Sequence, residues 1–286
     1  MNHSDEQFDE HLQEMVRIAM AEDLGEGDHS TLAVIPANAQ GQALLKIKQE
    51  GILAGIEIAE KIFKFYEPAA LFQKHKKDGD FIHAGETAFT IQASVYTILA
   101  CERLVLNCLQ RMSGIATLTH QYVNAIQAYA SRILDTRKTT PGFRLLEKEA
   151  VRIGGGMNHR FGLYDMIMLK DNHIDFCGGI SQALDKAFRY RQLYKPSLRI
   201  EIEVRSLDDV REVLDCGKAD RIMLDNFSPQ LLTEALQMIG RRLETEASGG
   251  INLENIREYA ATGVDYISIG ALIHQARSLD LSLKAI

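Results

Sequence analysis

Residues 198–225 read LRIEIEVRSLDDVREVLDCGKADRIMLD, and this stretch decides the fold class. Two apolar runs rich in isoleucine and leucine flank an amphipathic segment, which starts at Ser206 with Asp209 three residues later and is followed by Gly217. Serine with an acidic residue three positions on is typical of a helix start, and glycine is typical of a helix end. The stretch therefore predicts a strand, a helix and a second strand, joined as a right-handed βαβ unit with parallel strands.

The same alternation continues on both sides of this stretch. Amphipathic segments predict further helices, two of which we expect to begin at Ser228 and Asn252 and to be closed by Gly240 and Gly263. Repeated strand–helix units predict one parallel sheet. The strand-like runs are 132–136, 165–170, 198–204, 221–225, 243–248 and 264–270.

Polar residues or glycines stand at the end of nearly every one of these runs. An open doubly wound sheet concentrates its ligand contacts at one switch point, whereas an α/β barrel places functional side chains at the carboxyl ends of all its strands. The pattern therefore favours a barrel over an open sheet. Six strands are clear in the sequence, and a seventh or eighth is not evident from the residues alone.

The first part of the chain has a different pattern. A mixed α+β domain is predicted, with a boundary to the barrel near residue 113. Its helices are expected at 8–22, 55–66 and 94–111, the last ending in Ser113-Gly114, and its strands at 41–48 and 80–92.

Composition is that of an ordinary folded protein, with 46% hydrophobic and 25% charged residues in 286. The acidic N-terminus lacks the apolar core of a secretory signal, and no apolar run is long enough to span a bilayer, so we expect a cytoplasmic protein without a membrane partner. The net charge of −7 disfavours nucleic-acid binding. Cys101 and Cys108 lie seven residues apart in a helical pattern and are predicted to be buried; neither a zinc site nor a disulfide is expected.

One segment, 132–173, is basic, with eight Arg or Lys against five Asp or Glu. A basic stretch in an acidic protein suggests an anionic small-molecule ligand. A solvated helix face is the alternative, and it suits the cations spaced along 144–152. It does not suit the cations at the ends of predicted elements, which are Arg137, Lys138, Arg160 and Lys170.

Further candidates follow the strands. Glu203 and Asp225 end neighbouring strands and could share a Mg²⁺ ion or hold ribose hydroxyls, although each alone could be a salt-bridge partner. Ser248-Gly249-Gly250 could cradle a phosphate or form only a tight turn. His159 alone is more often a core or surface histidine.

The segments that carry chemistry resemble one family. DTRKTTPG (135–142), EKEAVRIGGGMNHRFGL (147–163) and LKDNH (169–173) are similar to the quinolinate phosphoribosyltransferases, also called carboxylating nicotinate-nucleotide pyrophosphorylases. Further segments extend the resemblance over nearly the whole chain. They are EDLGEGDHST (22–31), GILAGIEIAE (51–60), ERLVLN (102–107), SGIAT (113–117), MLDNF (223–227) and SIGALIH (268–274).

The resemblance implies a fold and a reaction. The fold is an incomplete, seven-strand TIM-like α/β barrel over 113–276 with an N-terminal mixed α+β sandwich domain over 1–112, on which the tail 277–286 is expected to pack. The reaction transfers phosphoribosyl from phosphoribosyl pyrophosphate to quinolinate with decarboxylation, giving nicotinate mononucleotide. Mg²⁺ is the implied cofactor, and a homodimer with shared active sites is the implied assembly.

The resemblance also assigns roles to residues. Lys138, Lys170, Glu203 and Asp225 are implied as catalytic, with Glu203 and Asp225 also binding the metal. Substrates are bound by a set that includes one residue from the neighbouring subunit, Arg103. The rest of the set is Arg137, His159, Arg160, Lys170, Ser248, Gly249, Gly250, Gly270 and His274.

Three other functions remain open from the residues. A related protein of molybdenum-uptake operons would share the phosphoribosyl half of the site but not the full basic set around the acceptor. A Schiff-base aldolase would use Lys170 as its amine at a barrel strand end, but it gives no role to the arginines. A non-catalytic binding protein for a phosphorylated ligand is the third.

Overall fold

The structure is a computed structural model that describes residues 5–286, so residues 1–4 of the predicted N-terminal domain lie outside it. The chain divides into two compact units. The first consists of Gln121–Arg137 and Gly156–Ala271, and the second of 5–120, Lys138–Gly155 and Leu272–Ile286. The predicted domain boundary near residue 113 lies within a continuous helix, and the domain limits stay a prediction.

The elements below are numbered along the chain. The helices are α1 (Asp5–Leu24), α2 (His29–Val34), α3 (Ile56–Tyr66), α4 (Val95–Ala125), α5 (Arg144–Ile153), α6 (Asp171–Cys177), α7 (Ile180–Tyr194), α8 (Leu207–Cys216), α9 (Pro229–Ile239), α10 (Ile256–Ala261) and α11 (Ala271–His274). The strands are β1 (Gln40–Ile47), β2 (Gly51–Ile52), β3 (Leu71–Lys74), β4 (Phe81–Ile82), β5 (Thr87–Ser94), β6 (Arg132–Leu134), β7 (Ile167–Leu169), β8 (Ile200–Val204), β9 (Arg221–Asp225), β10 (Glu244–Ser248), β11 (Tyr266–Ser268) and β12 (Leu281–Ala285).

The first unit contains a parallel sheet with the strand order β6-β11-β10-β9-β8-β7. Each of its strands lies within one of the predicted runs, so the α/β prediction is confirmed. Met157 adds a parallel bridge to Leu134 beside β6, with its N–H 2.8 Å from the carbonyl oxygen of Ile133.

Strand register places the acidic side chains of this sheet in rows. Side chains two residues apart share a face of a strand, so Glu201 and Glu203 lie on the same face of β8. Glu203 on β8 and Glu246 on β10 both pair with Met223 of the strand between them. Polar residues from neighbouring strands therefore converge on one face, with their carboxyl-end members at the same edge.

The predicted caps of the helices in this unit are mostly confirmed. Ser206 accepts a hydrogen bond from the Asp209 backbone N–H in a capping box, and Ser228 accepts one from Leu231. The prediction for Asn252 is wrong. Its side chain accepts from the Glu254 N–H in the preceding turn, and the helix begins only at Ile256. Glycines follow the helix ends with positive φ, as predicted for Gly217, Gly240 and Gly263.

The second unit contains an antiparallel sheet with the order β12-β1-β5-β3 and a separate antiparallel pair of β2 and β4. Phe63 on α3 packs with Phe89 of the sheet, and Phe72 lies 4.4 Å from Phe89 between ring centroids. The prediction of one strand over 80–92 is wrong. A turn with Gly85 at φ 97 separates β4 from β5, so the chain pairs with a different partner on each side of it.

The predicted end of a helix at Ser113-Gly114 is also wrong, because α4 continues to Ala125. Both residues are small for packing reasons. Ser113 Oγ accepts from the Ala54 N–H at 3.0 Å and donates to the Ala54 carbonyl at 3.2 Å. A Cβ on Gly114 would lie 2.0 Å from the carbonyl oxygen of Arg277. The pair is therefore required by chain segments remote in sequence, which helix-end patterns cannot reveal.

Cys101 and Cys108 are buried on α4, as predicted, and burial raises the pKa of each thiol to about 12. No helix within residues 5–286 has the length and hydropathy that a membrane span requires.

Candidate active site

Two arginines of the first unit lie near each other. Arg160 is buried, and its pKa is lowered first by that burial and then by the positive charge of Arg137. The Nε atom of Arg137 is also buried and has no hydrogen-bond partner within residues 5–286. Two guanidinium groups that repel each other, one with an unsatisfied buried donor, are stabilised by a bound anion.

His159 is held from two sides. Its backbone N–H donates to Asp135 Oδ1 at 2.8 Å, directly after β6. Its ring Nε2 lies 3.0 Å from Glu201 Oε2 and 3.3 Å from Glu246 Oε2. Burial disfavours the imidazolium form, but the two carboxylates outweigh it and raise the pKa of His159 to about 9. His159, predicted as a site residue, is thus buried against two glutamates of the sheet.

The other ring nitrogen of His159 has a separate partner. The Arg160 backbone N–H donates to Nδ1 at 2.7 Å, which requires a lone pair on that nitrogen. The neutral Nε2–H tautomer satisfies this contact, and a charged ring would have to release it. The carboxylates and the Arg160 amide therefore favour different protonation states of one ring.

A buried charge cluster surrounds this histidine, and sequence reasoning missed most of it. Arg221 Nη1 lies 3.2 Å from Glu246 Oε2, and its Nη2 lies 2.9 Å from Glu244 Oε2. Burial, and then the charge of Glu246, raise the pKa of Glu201. The alternation of Glu201 with Glu203 on one strand was the available signal, since both must share a face.

His159, Glu201 and Glu246 each offer one ligand atom within 4.8 Å of the others, which is compact enough for a metal ion. The Arg221 guanidinium already supplies a cation to Glu246 in this cluster. A divalent ion here would add positive charge beside an arginine and a histidine, so these side chains are better explained as a self-compensating cluster.

Lys170 and Glu203 meet at the sheet edge. Lys170 Nζ lies 3.0 Å from Glu203 Oε2, with 45% of the lysine side chain and 10% of the glutamate side chain exposed. A second ion pair lies beside the first, between Asp171, which follows Lys170, and Arg205, which follows Glu203 by two residues; Arg205 Nη2 lies 3.1 Å from Asp171 Oδ2. The carboxyl ends of β7 and β8 are therefore joined by two ion pairs, and each end supplies the cation of one pair and the anion of the other.

The third part of the site joins the ends of β9 and β10. Asn226 has φ 58, donates from Nδ2 to Asp225 Oδ2 at 2.6 Å, and donates from its backbone to the Ser248 carbonyl at 2.8 Å. A Cβ on Gly249 would lie 2.3 Å from Asn226 Oδ1, and Gly249 has φ 93. Only glycine fits this approach. Asn226 was missed as a site residue, although its position after a strand end was visible.

The predicted residues divide between the two units. The first unit contains His159 and Arg160, which follow the bridge residue Met157, and a set at the carboxyl ends of its strands or just beyond them. That set is Arg137, Lys170, Glu203, Asp225, Ser248, Gly249, Gly250 and Gly270. Arg103, Lys138 and His274 belong to the second. Arg103 is exposed on α4 and forms no ion pair in the described part of the chain.

Comparisons with known proteins are consistent with this geometry. The family models of the quinolinate phosphoribosyl transferase N-terminal and C-terminal domains match residues 28–113 and 115–284. Quinolinate phosphoribosyltransferase [decarboxylating] 2b, mitochondrial, of Nicotiana tabacum is 44% identical over 96% of this chain and 82% of the relative. Probable nicotinate-nucleotide pyrophosphorylase [carboxylating] of Bacillus subtilis is 43% identical over 95% and 92%. The crystal structure of NadC from Streptococcus pyogenes has a TM-score of 0.90 and 38% identity, covering 100% of this chain and 99% of that one.

Proposed function

The chain belongs to the quinolinate phosphoribosyltransferase family, and on that premise we propose how its residues carry out the reaction. The enzyme is a pentosyltransferase of NAD biosynthesis that moves phosphoribosyl from phosphoribosyl pyrophosphate to quinolinate with decarboxylation. Nicotinate mononucleotide, pyrophosphate and CO₂ are the products.

The bonds that change need no covalent enzyme intermediate. The ring nitrogen of quinolinate forms a bond to C1′ of the ribose as the bond from C1′ to pyrophosphate breaks. The pyridine ring is then cationic, and its charged nitrogen stabilises the electron pair left on the adjacent C2 when the 2-carboxylate leaves as CO₂. C2 then takes up a proton from water, which completes nicotinate mononucleotide. Binding, orientation and electrostatic stabilisation are therefore the work of the protein.

The acceptor is bound by the cations of the first unit, which are Arg137, His159, Arg160 and Lys170. The single observation that carries this assignment is the proximity of Arg137 and Arg160, with Arg137 Nε buried and unsatisfied within the described chain. A dianion with two adjacent carboxylates supplies both the charge and the acceptors that these groups lack. Arginine is suited to such planar carboxylates because its donors form a fork.

Glu203 and Asp225 hold the ribose hydroxyls and Mg²⁺. Their chemistry fits this ion, because they present carboxylate oxygens at the same edge of neighbouring strands. Lys170 contacts Oε2 of Glu203, so Oε1 of Glu203 is left to bind a ligand. A Mg²⁺ ion held by these carboxylates would supply positive charge that neutralises pyrophosphate. The two carboxylates also favour the positive charge that develops on the ribose.

We assign binding of the 5′-phosphate and the pyrophosphate to glycine-rich backbone and to polar or cationic side chains. Ser248, Gly249, Gly250, Gly270 and His274 bind the 5′-phosphate, and Lys138 binds the pyrophosphate. The close approach of Gly249 to Asn226 supports a loop whose backbone N–H groups face a ligand.

We also propose the localisation, the assembly and the domain architecture of the enzyme. The enzyme is a cytoplasmic homodimer whose sites are shared, with Arg103 supplied by the neighbouring subunit. The parallel bridge of Met157 to Leu134 supports a seventh strand and hence the incomplete barrel over 113–276. Pairing of β12 with β1 supports placement of the tail 277–286 on the N-terminal sandwich over 1–112.

One assay tests the proposal against the alternatives. We expect nicotinate mononucleotide to form from quinolinate and phosphoribosyl pyrophosphate, with activity lost on chelation of Mg²⁺. A borohydride-trapped adduct at Lys170 with an aldehyde or keto substrate would instead support an aldolase, but the ion pair with Glu203 gives its amine another role. Turnover of a different acceptor only would indicate the molybdenum-operon relative, and absence of any turnover would indicate a binding protein.

A further inference from the structure

Glu147, on α5 in the second unit, is fully buried yet makes four hydrogen bonds. Its Oε2 accepts from the Thr140 backbone N–H at 2.8 Å, and its Oε1 accepts from the Thr140 hydroxyl at 2.9 Å. Oε1 also accepts from Arg111 Nε at 3.1 Å and Nη2 at 2.9 Å. One carboxylate thus ties the loop before α5 to a guanidinium on α4.

Arg111 extends this network to a third segment. Its Nη2 donates to the Ile273 carbonyl at 2.7 Å, and its Nη1 donates to the Ala276 carbonyl at 2.9 Å. These carbonyls lie at and just after the end of α11, where helical partners are missing. The Arg111 guanidinium therefore donates hydrogen bonds to one carboxylate and two backbone carbonyl oxygens at the same time.

The three segments have one property in common. Each carries a residue that the proposed function assigns to substrate and that lies in the second unit. Lys138 precedes Thr140 by two residues, His274 follows Ile273, and Arg103 lies on the same helix as Arg111, roughly two turns earlier.

We propose that Glu147 and Arg111 are positioning residues for phosphoribosyl pyrophosphate, because they fix the backbone that presents Lys138 and His274. The inference rests on the proposed function and extends it to two residues outside the substrate contacts. Arg103, which we assign to the quinolinate dianion, does not depend on this network, since the hydrogen bonds of α4 itself hold its backbone. The network therefore acts on one substrate and spares the other.

Glu147→Gln tests the inference with little change in side-chain volume. The amide offers one acceptor oxygen, and its NH₂ group must face either the Thr140 N–H or the Arg111 guanidinium, which are both donors. We expect KM for phosphoribosyl pyrophosphate to rise about tenfold, with kcat changed less than about threefold and KM for quinolinate unchanged. Loss of folded protein alone would lower apparent kcat and leave both KM values unchanged.

Glu149→Gln is the matched control, since Glu149 lies on the same helix but pairs with Arg152 at the surface. It should keep both KM values. Thr140→Val removes only the hydroxyl donor to Glu147 and can be tested if Glu147→Gln does not fold. It should raise KM for phosphoribosyl pyrophosphate by a smaller factor than Glu147→Gln.

A double variant gives a second readout. If Glu147 acts through Lys138, its substitution should raise KM for phosphoribosyl pyrophosphate less in a Lys138→Ala background than in the wild type. Equal factors in both backgrounds, or an unchanged KM in Glu147→Gln and Thr140→Val, would overturn the inference. Failure of the wild type to form nicotinate mononucleotide would instead overturn the proposed function.

Discussion

Lys170 Nζ lies 3.0 Å from Glu203 Oε2, so a residue assigned to quinolinate contacts one assigned to ribose and metal. The two side chains come from the ends of adjacent parallel strands, β7 and β8. Under the proposed assignments, the boundary between the two substrates lies at this ion pair. The contact also gives each residue a function when the other substrate is absent, since each neutralises the other.

Lys170→Ala should lower kcat/KM for quinolinate by about 10²-fold or more, because it removes a cation and leaves the Glu203 carboxylate facing a dianion. Steady-state kinetics with each substrate varied would measure this. Lys218→Ala is the control, since Lys218 pairs with Asp185 at the surface of the same unit. Kinetics of Lys170→Ala that match the control would contradict the assignment.

Arg137→Ala should reduce quinolinate binding by about 10²-fold while the fold survives, because its buried Nε makes no hydrogen bond that the described chain would lose. Arg137→Lys should recover only part of this loss, since lysine lacks the fork. Isothermal titration with quinolinate would report affinity directly, and circular dichroism would report the fold. Wild-type affinity in Arg137→Ala would remove the main support for the acceptor site.

An Arg103→Ala subunit mixed with a Lys170→Ala subunit should recover activity that neither homodimer shows. If sites are shared, one of the two sites in each heterodimer combines both intact residues. Activity should be measured after the two proteins are unfolded and refolded together, with each variant refolded alone for comparison. Absence of recovery in a confirmed heterodimer would show that Arg103 acts within its own subunit.

His159→Gln should destabilise the enzyme in a pH-dependent manner. The pKa of His159 is raised to about 9, above the usual value of about 6.5 in an unfolded chain. Its ionic contribution to stability is therefore fully present below about pH 6.5 and is lost as the pH rises through about 9.

The difference in thermal midpoint between wild type and His159→Gln should accordingly be largest near pH 6 and shrink by about pH 10. Differential scanning fluorimetry across this range would measure it. Glu201→Gln should shift the decrease to lower pH, whereas Glu244→Gln, which contacts Arg221 but not the imidazole, should shift it less. A midpoint difference that is constant with pH would refute the ion-pair account.

Gly249→Ala should weaken binding of phosphoribosyl pyrophosphate by about tenfold or more, because the new Cβ would displace Asn226 and strain a residue at φ 93. Gly79→Ala is a control for backbone strain alone, since it has φ 91 and nothing within 4 Å of an added Cβ. Both variants should lose stability, but KM should rise only in Gly249→Ala. A similar rise in both would assign the effect to strain rather than to the site.

The order of strands and helices in the first unit was predictable because local signals agree there. The run 221–225 matches β9, and the caps at Ser206 and Ser228 are local hydrogen bonds between neighbours in sequence. The helix end predicted at Ser113-Gly114 was wrong because both residues are small for contacts with Ala54 and Arg277. Patterns within a window of sequence do not contain such partners.

Sequence reasoning singled out the cations of the proposed site more completely than the buried charges beside them. Arg137, Arg160 and Lys170 stand out at strand ends because their charge interrupts apolar runs. The sequence does not single out Glu201, Glu246 and Arg221 in this way, since a charged residue within a strand is usually assigned to a solvated face. Only the register of β8, β9 and β10 brings these charges onto the same face.

The amino-acid sequence by itself determined the family and the alternation of strands and helices, and it supplied the residues that we propose to bind substrate, because periodicity, caps and motifs are properties of contiguous residues. Tertiary structure alone decided which charges meet: Lys170 with Glu203, His159 with two glutamates, and Glu147 with Arg111. The physical reason is that electrostatic interaction depends on distance and burial. Pairing between strands and helices sets both, across separations in the chain that no local pattern records.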